Sequence, residues 1–243
     1  MSSSPTEATH RPRYGKAESP ARPVTPRDLE VLRLLAENRF LGTRQAAAAM
    51  GFSDRAARKH LRVLYDAGLT DKMSVPASLA SPGSAEGARW DDLHFPTSAG
   101  IARLRRAGDL PEGFARPGPP GIGTLRHEIG IREFFAWLSR SAAAHRDRGH
   151  RLQDWSCATS LAAGGLKPDA RIVYRFAPGA VGTAFAALLE ADTGSERGGG
   201  GDRWAEKART YAALFADPAR EALRALVAPS PRVLVTVPDG TRR

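Results

Sequence analysis

A chain of 243 residues with 42% hydrophobic content is long enough to fill two small cores or one larger one. Lys and Arg number 36 against 26 Asp and Glu, and the net charge of +10 is divided evenly between the two halves; this favours an anionic partner, most simply nucleic acid, although an Arg-, Ala-, Gly- and Pro-rich composition is also what a GC-rich coding genome produces. No apolar run approaches the roughly 20 residues of a membrane span, the start Met1-Ser2-Ser3-Ser4-Pro5 lacks the pattern of a secretory leader, and the lone Cys157 leaves no intrachain disulfide or cysteine-rich zinc site, so a cytoplasmic protein without membrane association is expected.

Residues 1–24 mix Ser, Pro, Thr and Arg without apolar periodicity and read as a disordered basic arm. Thr25-Pro26 then opens a helix, with a hydroxyl at the cap and Pro at the first helical position, and Leu29, Leu32 and Leu35 follow at helical spacing. After Gly42, Thr43 is expected to cap a short Ala-rich helix through Met50; Gly51 turns the chain and Ser53 caps a third helix to about Ala67. In that third helix Ala57, Leu61, Leu64 and Tyr65 form an inward stripe, and Arg55, Arg58, Lys59 and Arg62 face outward.

Extended pieces at 70–75 and 90–96 flank a polar loop whose tip is 81–87, and Thr97 caps a further helix through Arg106. Residues 25–107 therefore resemble a winged helix-turn-helix domain, carried mostly by the phrase from Thr43 to Ser53. A basic face on the third helix suits the major groove, so Arg44, Arg55, Arg58, Lys59 and Arg62 are the candidate contacts to double-stranded DNA. The competing reading is a solvated basic face on a domain that binds protein.

Pro111, Pro117, Pro119 and Pro120, with five glycines from Gly108 to Gly123, mark 108–123 as a linker before a second domain at 124–243. That domain opens with a long helix from Leu125 to about Ala144, apolar at Ile129, Ile131, Phe134, Phe135 and Leu138. Strands at 152–157, 169–176 and 183–191 follow, then a helix at 202–215 and a strand at 233–237, with a flexible loop tip at 198–201. The fold class is α+β: a winged helix-turn-helix followed by an αβββαβ domain.

The second domain holds the residues that carry chemistry. Glu190 and Asp192 are two apart on a strand and point to one face. With Asp169 on the neighbouring strand they form a carboxylate cluster whose repulsion a hard cation such as Mg²⁺ or Mn²⁺ relieves. Lys207 on the next helix is placed to stabilise phosphorane charge or orient a water, and Glu128 in the first turn of the long helix reaches toward the same place in support. His127 beside it reads as a helix-start residue rather than a ligand, and Cys157 as core. The six histidines contain no His-x-His pair, a covalent route through Tyr211 or Tyr174 is the weaker alternative, and no Gly-rich loop has the Lys-Ser/Thr of a nucleotide cradle.

Pro168-Asp169, then Leu189-Glu190-Ala191-Asp192-Thr193-Gly194, then Trp204 through Lys207 to Tyr211 resemble, in that order, the restriction-endonuclease-like or PD-(D/E)xK superfamily. Within it the chain is similar to the plasmid replication-relaxation family of winged-helix proteins, related to the C-class mobilisation relaxases. The resemblance implies a DNA-binding protein of plasmid replication or transfer with a nuclease-like domain. It departs at one position: the superfamily has lysine two residues after the glutamate, where this chain has Asp192, so Lys207 stands as a lysine migrated to the helix.

Two functions follow as expectations. The first is a Mg²⁺- or Mn²⁺-dependent DNA nickase or endonuclease of the relaxation type. The second is a non-catalytic winged-helix regulator or replication accessory protein with an inactive nuclease-like domain. Partners expected are double-stranded DNA, a second copy in a homodimer, and other plasmid replication or transfer proteins.

Overall fold

The computed structural model describes residues 22–75, 92–111, 114, 118, 121–157, 167–176, 184–191, 203–216 and 232–236. The expected arm up to residue 21, the loop tips 81–87 and 198–201, and Asp192 lie outside the described residues.

Helix α1 (Pro26–Asn38) starts at the expected cap: the Thr25 N–H donates to Asp28 Oδ2 at 2.7 Å while Asp28 N–H returns to the threonine hydroxyl. Asp28 is fully buried there. Burial alone would raise its pKa, but two bonds from Arg22 at 2.6 and 2.8 Å, the threonine, and His60 at 2.7 Å outweigh it and hold the carboxyl well below the usual carboxylate range. Because His60 sits on α3 (Asp54–Asp66), this one carboxylate ties the first helix to the third.

Helix α2 (Thr43–Met50) is capped differently from expectation. Gly42 occupies the cap and its N–H donates to Gln45 Oε1 at 3.0 Å, so a side chain three residues on supplies what the capping residue lacks. Thr43 is buried inside the first turn. Gly51, at φ 67°, makes the left-handed turn into Ser53, whose hydroxyl accepts from Ala56 N–H at 3.2 Å to start α3. Ala57, Leu61 and Leu64 face inward as expected, joined by Val63, whereas Tyr65 is half-buried under the Lys72 ammonium.

Strands β1 (Leu41–Gly42), β2 (Thr70–Met73) and β3 (Leu93–Pro96) form an antiparallel sheet in the order β1-β3-β2. The two-residue β1 is too short to leave a period in the sequence. Helix α4 (Ser98–Arg106) follows under its Thr97 cap and comes so close to the α3–β2 turn that a Cβ on Gly100 would lie 2.1 Å from the Leu69 carbonyl oxygen.

The second half runs α5 (Ile122–Ala144), a 3₁₀ turn at Arg146–Arg148, β4 (Arg151–Cys157), β5 (Ala170–Arg175), β6 (Ala184–Ala191), α6 (Arg203–Ala216) and β7 (Arg232–Thr236). This is the expected order of helix, three strands, helix and strand. The sheet order is β4-β5-β6-β7, antiparallel except for the parallel β6–β7 pair, whose crossover contains α6. Ile131, Leu138 and Ala142 of α5 pack on Ala170, Ile172, Tyr174 and Leu189 on one face. Tyr211 and Leu214 of α6 pack on Ala186 and Leu188 on the other, completing three layers.

Helix α5 also serves the first half. Its Phe135 belongs to the core of Leu32, Leu35, Leu61, Leu64 and Ile101, and its Leu125 and Ile129 cluster with Phe40 and Leu93. A helix buried on two fronts must be apolar around much of its circumference, which is why its apolar face reads as broad. Among the described residues no helix is long and apolar enough to cross a membrane.

Two stability outcomes follow. Gly100→Ala should destabilise by on the order of 3 kcal/mol in a denaturant melt, because the obstacle to the new methyl is backbone. His94 is buried and, among the described residues, has no partner for Nδ1, and burial pushes its pKa down to about 4. Its folded pKa thus lies below the unfolded value of about 6.5, so its neutral form supports the fold fully above that pH and the support is lost as pH falls toward 4. Replacing it by Leu should remove on the order of 2 kcal/mol from the loss of stability between pH 7 and pH 4.

Candidate functional site

The beginning of β5 and the end of β6 lie side by side, since Ala170 pairs with Leu189. Asp169, just ahead of β5, is fixed there by backbone: its N–H donates to Leu189 O at 2.9 Å and its Oδ2 accepts from Ala191 N–H at 2.8 Å. It therefore flanks Glu190 in the adjacent strand. Glu190 is 1% exposed and points to α6, where Lys207 Nζ donates to one carboxylate oxygen at 2.7 Å and Tyr211 O–H to the other at 2.5 Å. Lys207 and Tyr211 are one helical turn apart, so both reach inward from α6 toward the same strand.

From the opposite face, the first turns of α5 bring His127, with Nε2 2.9 Å from Asp169 Oδ1. His127 is thus part of the cluster, a role its lone occurrence in the sequence did not reveal. Its neighbour Glu128 turns away to Arg39 Nη1 at 2.6 Å, the Thr124 hydroxyl at 3.0 Å and, on the other oxygen, Arg132 at 3.5 Å. Successive helix residues point about 100° apart, so only one of the two can face the sheet. Lys207 also lies 5.1 Å over the Trp204 ring, and Asp192 lies outside the described residues.

The titration of the cluster follows from these contacts. The hydrogen bond that His127 donates to Asp169 raises the His127 pKa against the opposing effects of burial and of Lys207. Tyr211 is pushed up strongly, first by burial and then by the Glu190 carboxylate that accepts its hydrogen bond, so it remains a donor at any physiological pH.

Two carboxylates and an imidazole at a sheet end are chemically suited to a divalent cation, and a lysine beside them is suited to phosphate charge. Among the described residues, however, no three His, Cys, Asp or Glu side chains form a group able to hold a metal ion. Asp169 and Glu190 instead spend their oxygens on His127, Ala191, Lys207 and Tyr211.

On the other half of the molecule, Arg44, Arg55, Arg58 and Lys59 are exposed. Arg44 Nε approaches Asp54 only to 3.9 Å. Arg62 differs: it is half-buried and bonded through Nε to the buried Asp66 at 2.6 Å, one turn along α3. A guanidinium holding a buried carboxylate is committed to the fold, so Arg62 belongs to the flank of the basic face and Arg55, Arg58 and Lys59 to its front.

Comparison with known proteins gives one family: the model described as replication-relaxation matches residues 32–227. No curated protein and no solved structure matches the chain.

The cluster yields two measurable outcomes. Lys207→Met leaves Glu190 as a buried, underpaired carboxylate and should cost on the order of 3 kcal/mol in a urea melt, most of it recovered when Glu190→Gln is added. His127 has a folded pKa above its unfolded one, so its bond to Asp169 stabilises fully below pH of about 6.5 and fades as pH rises through the folded midpoint. In an NMR titration, Asp169→Asn should lower that midpoint; an unchanged midpoint would mean the bond is not what raises it.

Proposed function

Because the chain belongs to the replication-relaxation family, we propose that it acts in plasmid replication or mobilisation as a duplex-DNA-binding protein, with a winged helix-turn-helix in its first half and a nuclease-like site in its second. The order helix, strand, helix, helix, strand, strand, with α3 presenting Arg55, Arg58 and Lys59 to solvent, supports the first element. The observation that supports the second is that Asp169, bonded to the Ala191 N–H, and the Glu190–Lys207 ion pair lie at the same end of the second sheet although distant in sequence.

The proposed reaction is hydrolysis of a phosphodiester, as a nick or a cut. Asp169 and Glu190, with Asp192 from the sequence pattern, would hold Mg²⁺ or Mn²⁺. The chemistry supplied on binding is polarisation of a phosphate and acidification of an attacking water. Lys207, which Glu190 holds at the site, would neutralise charge on the phosphate oxygens. His127 holds a proton on Asp169's side of the site and orients that carboxylate, and Tyr211 keeps one Glu190 oxygen fixed as a permanent donor.

A second reading rests on a specific observation. Glu190 is buried with both oxygens already satisfied, which is how a site looks when it serves packing rather than metal. Under that reading the protein is a winged-helix regulator or replication accessory factor on a retired nuclease fold.

Supercoiled plasmid carrying the neighbouring origin separates the two. Metal-dependent conversion to open circle by the native chain, lost in Asp169→Ala and in Lys207→Ala, is the outcome for a nickase; no conversion with duplex binding intact is the outcome for the regulator. In gel shifts, Arg55→Glu with Arg58→Glu should weaken duplex binding at least tenfold, whereas Arg62→Ala should act first on stability.

A further inference from the structure

The cleft formed where the helix-turn-helix meets α5 has about 260 Å³ of space and is lined by Arg44, Gly51, Phe52, Ser53, Asp54 and Arg140, with small alanines of α2 and α5 forming its walls. The two arginines come from different halves of the protein: Arg44 from the start of α2, Arg140 from the last turns of α5. Arg140 is exposed, and among the described residues no carboxylate pairs with it. Asp54 lines the same cleft but lies 3.9 Å from Arg44, so one carboxylate faces two guanidiniums and the cleft keeps a positive excess. The α3 N-terminus opens into it at Ser53, and the 13-residue helix adds the positive end of its dipole.

We infer that this cleft takes a backbone phosphate of duplex DNA, held between Arg44 and Arg140, so that α5 of the second half contacts the same duplex that α3 reads. The inference rests on the duplex-binding reading above and extends it to a residue outside the basic face of α3. Its physical basis is convergence. Two guanidiniums at an open, small-walled cleft beside the turn of a helix-turn-helix suit a tetrahedral anion on an extended backbone, and the alanines leave room for the approach. Packing fixes the site, because the Gln45 side-chain amide of α2 donates to Glu133 of α5 at 2.8 Å and holds the two helices together two turns from Arg140. A phosphate contact positions the protein without reading sequence, so Arg140 contributes equally on any duplex.

The test is duplex binding by fluorescence anisotropy as a function of salt, with the full chain, its Arg140→Ala and Arg140→Lys variants, and Arg58→Ala. Loss of one phosphate contact should lower the magnitude of the slope of log affinity against log salt by about 0.9 and weaken binding severalfold on specific and unrelated duplexes alike. Arg140→Lys should keep the slope. An Arg140→Ala slope equal to that of the native chain, while Arg58→Ala weakens binding, overturns the inference and leaves the duplex-binding reading standing. If the native chain binds no duplex, that reading fails first. Thermal melts of Arg140→Ala should match the native chain, since the side chain is exposed; a lowered melting temperature with an unchanged slope also counts against the proposal.

Discussion

A guanidinium buried between the two halves sets the terms for the rest of the molecule. Arg132 of α5 is 3% exposed, lies 4.1 Å over the Phe40 ring, and donates to the Asn38 carbonyl and the Glu128 carbonyl at 2.8 Å each. A buried charge is tolerated only when its donors are met, so the α1–β1 turn and the first turns of α5 must hold one relative position. Arg39 of the same turn completes the interlock through Gly118 O and Glu128. It does so at φ 68°, the only non-glycine with positive φ among the described residues, a strain that its contacts across the junction offset.

With α5 so fixed, the placement of its other side chains follows. Phe135 closes the core of the first half, Ile131 and Leu138 cover the second sheet, and His127 is delivered to Asp169. Glu128 is consumed by the interlock, which explains why it faces Arg39 rather than the carboxylates of the sheet. The helix that joins the halves is therefore also the helix that supplies one side of the candidate site.

Glu190 is the centre of that site and its tension. It sits in β6, between β5 and β7, where no solvent reaches it, and Lys207 and Tyr211 supply the positive charge and the proton donor that a buried carboxylate requires. Both Glu190 oxygens are occupied by these contacts, so any use of the carboxylate as a cation ligand would compete with its structural satisfaction. On the basic face the competition runs the other way: Arg62 is drawn into the fold by Asp66, while Arg55, Arg58 and Lys59 remain turned to solvent.

The order of elements was legible in the sequence because it rests on local rules. Thr25-Pro26, Gly51 with Ser53, and Thr97 mark helix starts by chemistry that acts within a turn, and the alternation through Ile172 and Tyr174 marks a strand by period alone. Asp169, Glu190 and Lys207 were singled out in the sequence by side-chain type and order alone, as the kind of residues phosphodiester chemistry would use. Which of them meet, and what else joins them, depended on packing at long range. That His127 rather than Glu128 faces Asp169 is settled by Arg39 and Arg132, 89 and 94 residues from their partners Glu128 and Asn38. That Tyr211 donates to Glu190 depends on the α6 layer, and that Arg62 turns to the flank of the basic face depends on the burial of Asp66. Single-chain periodicity records which face of an element is apolar; it does not record which partner's charge lies across from it, and that is decided only when the elements pack.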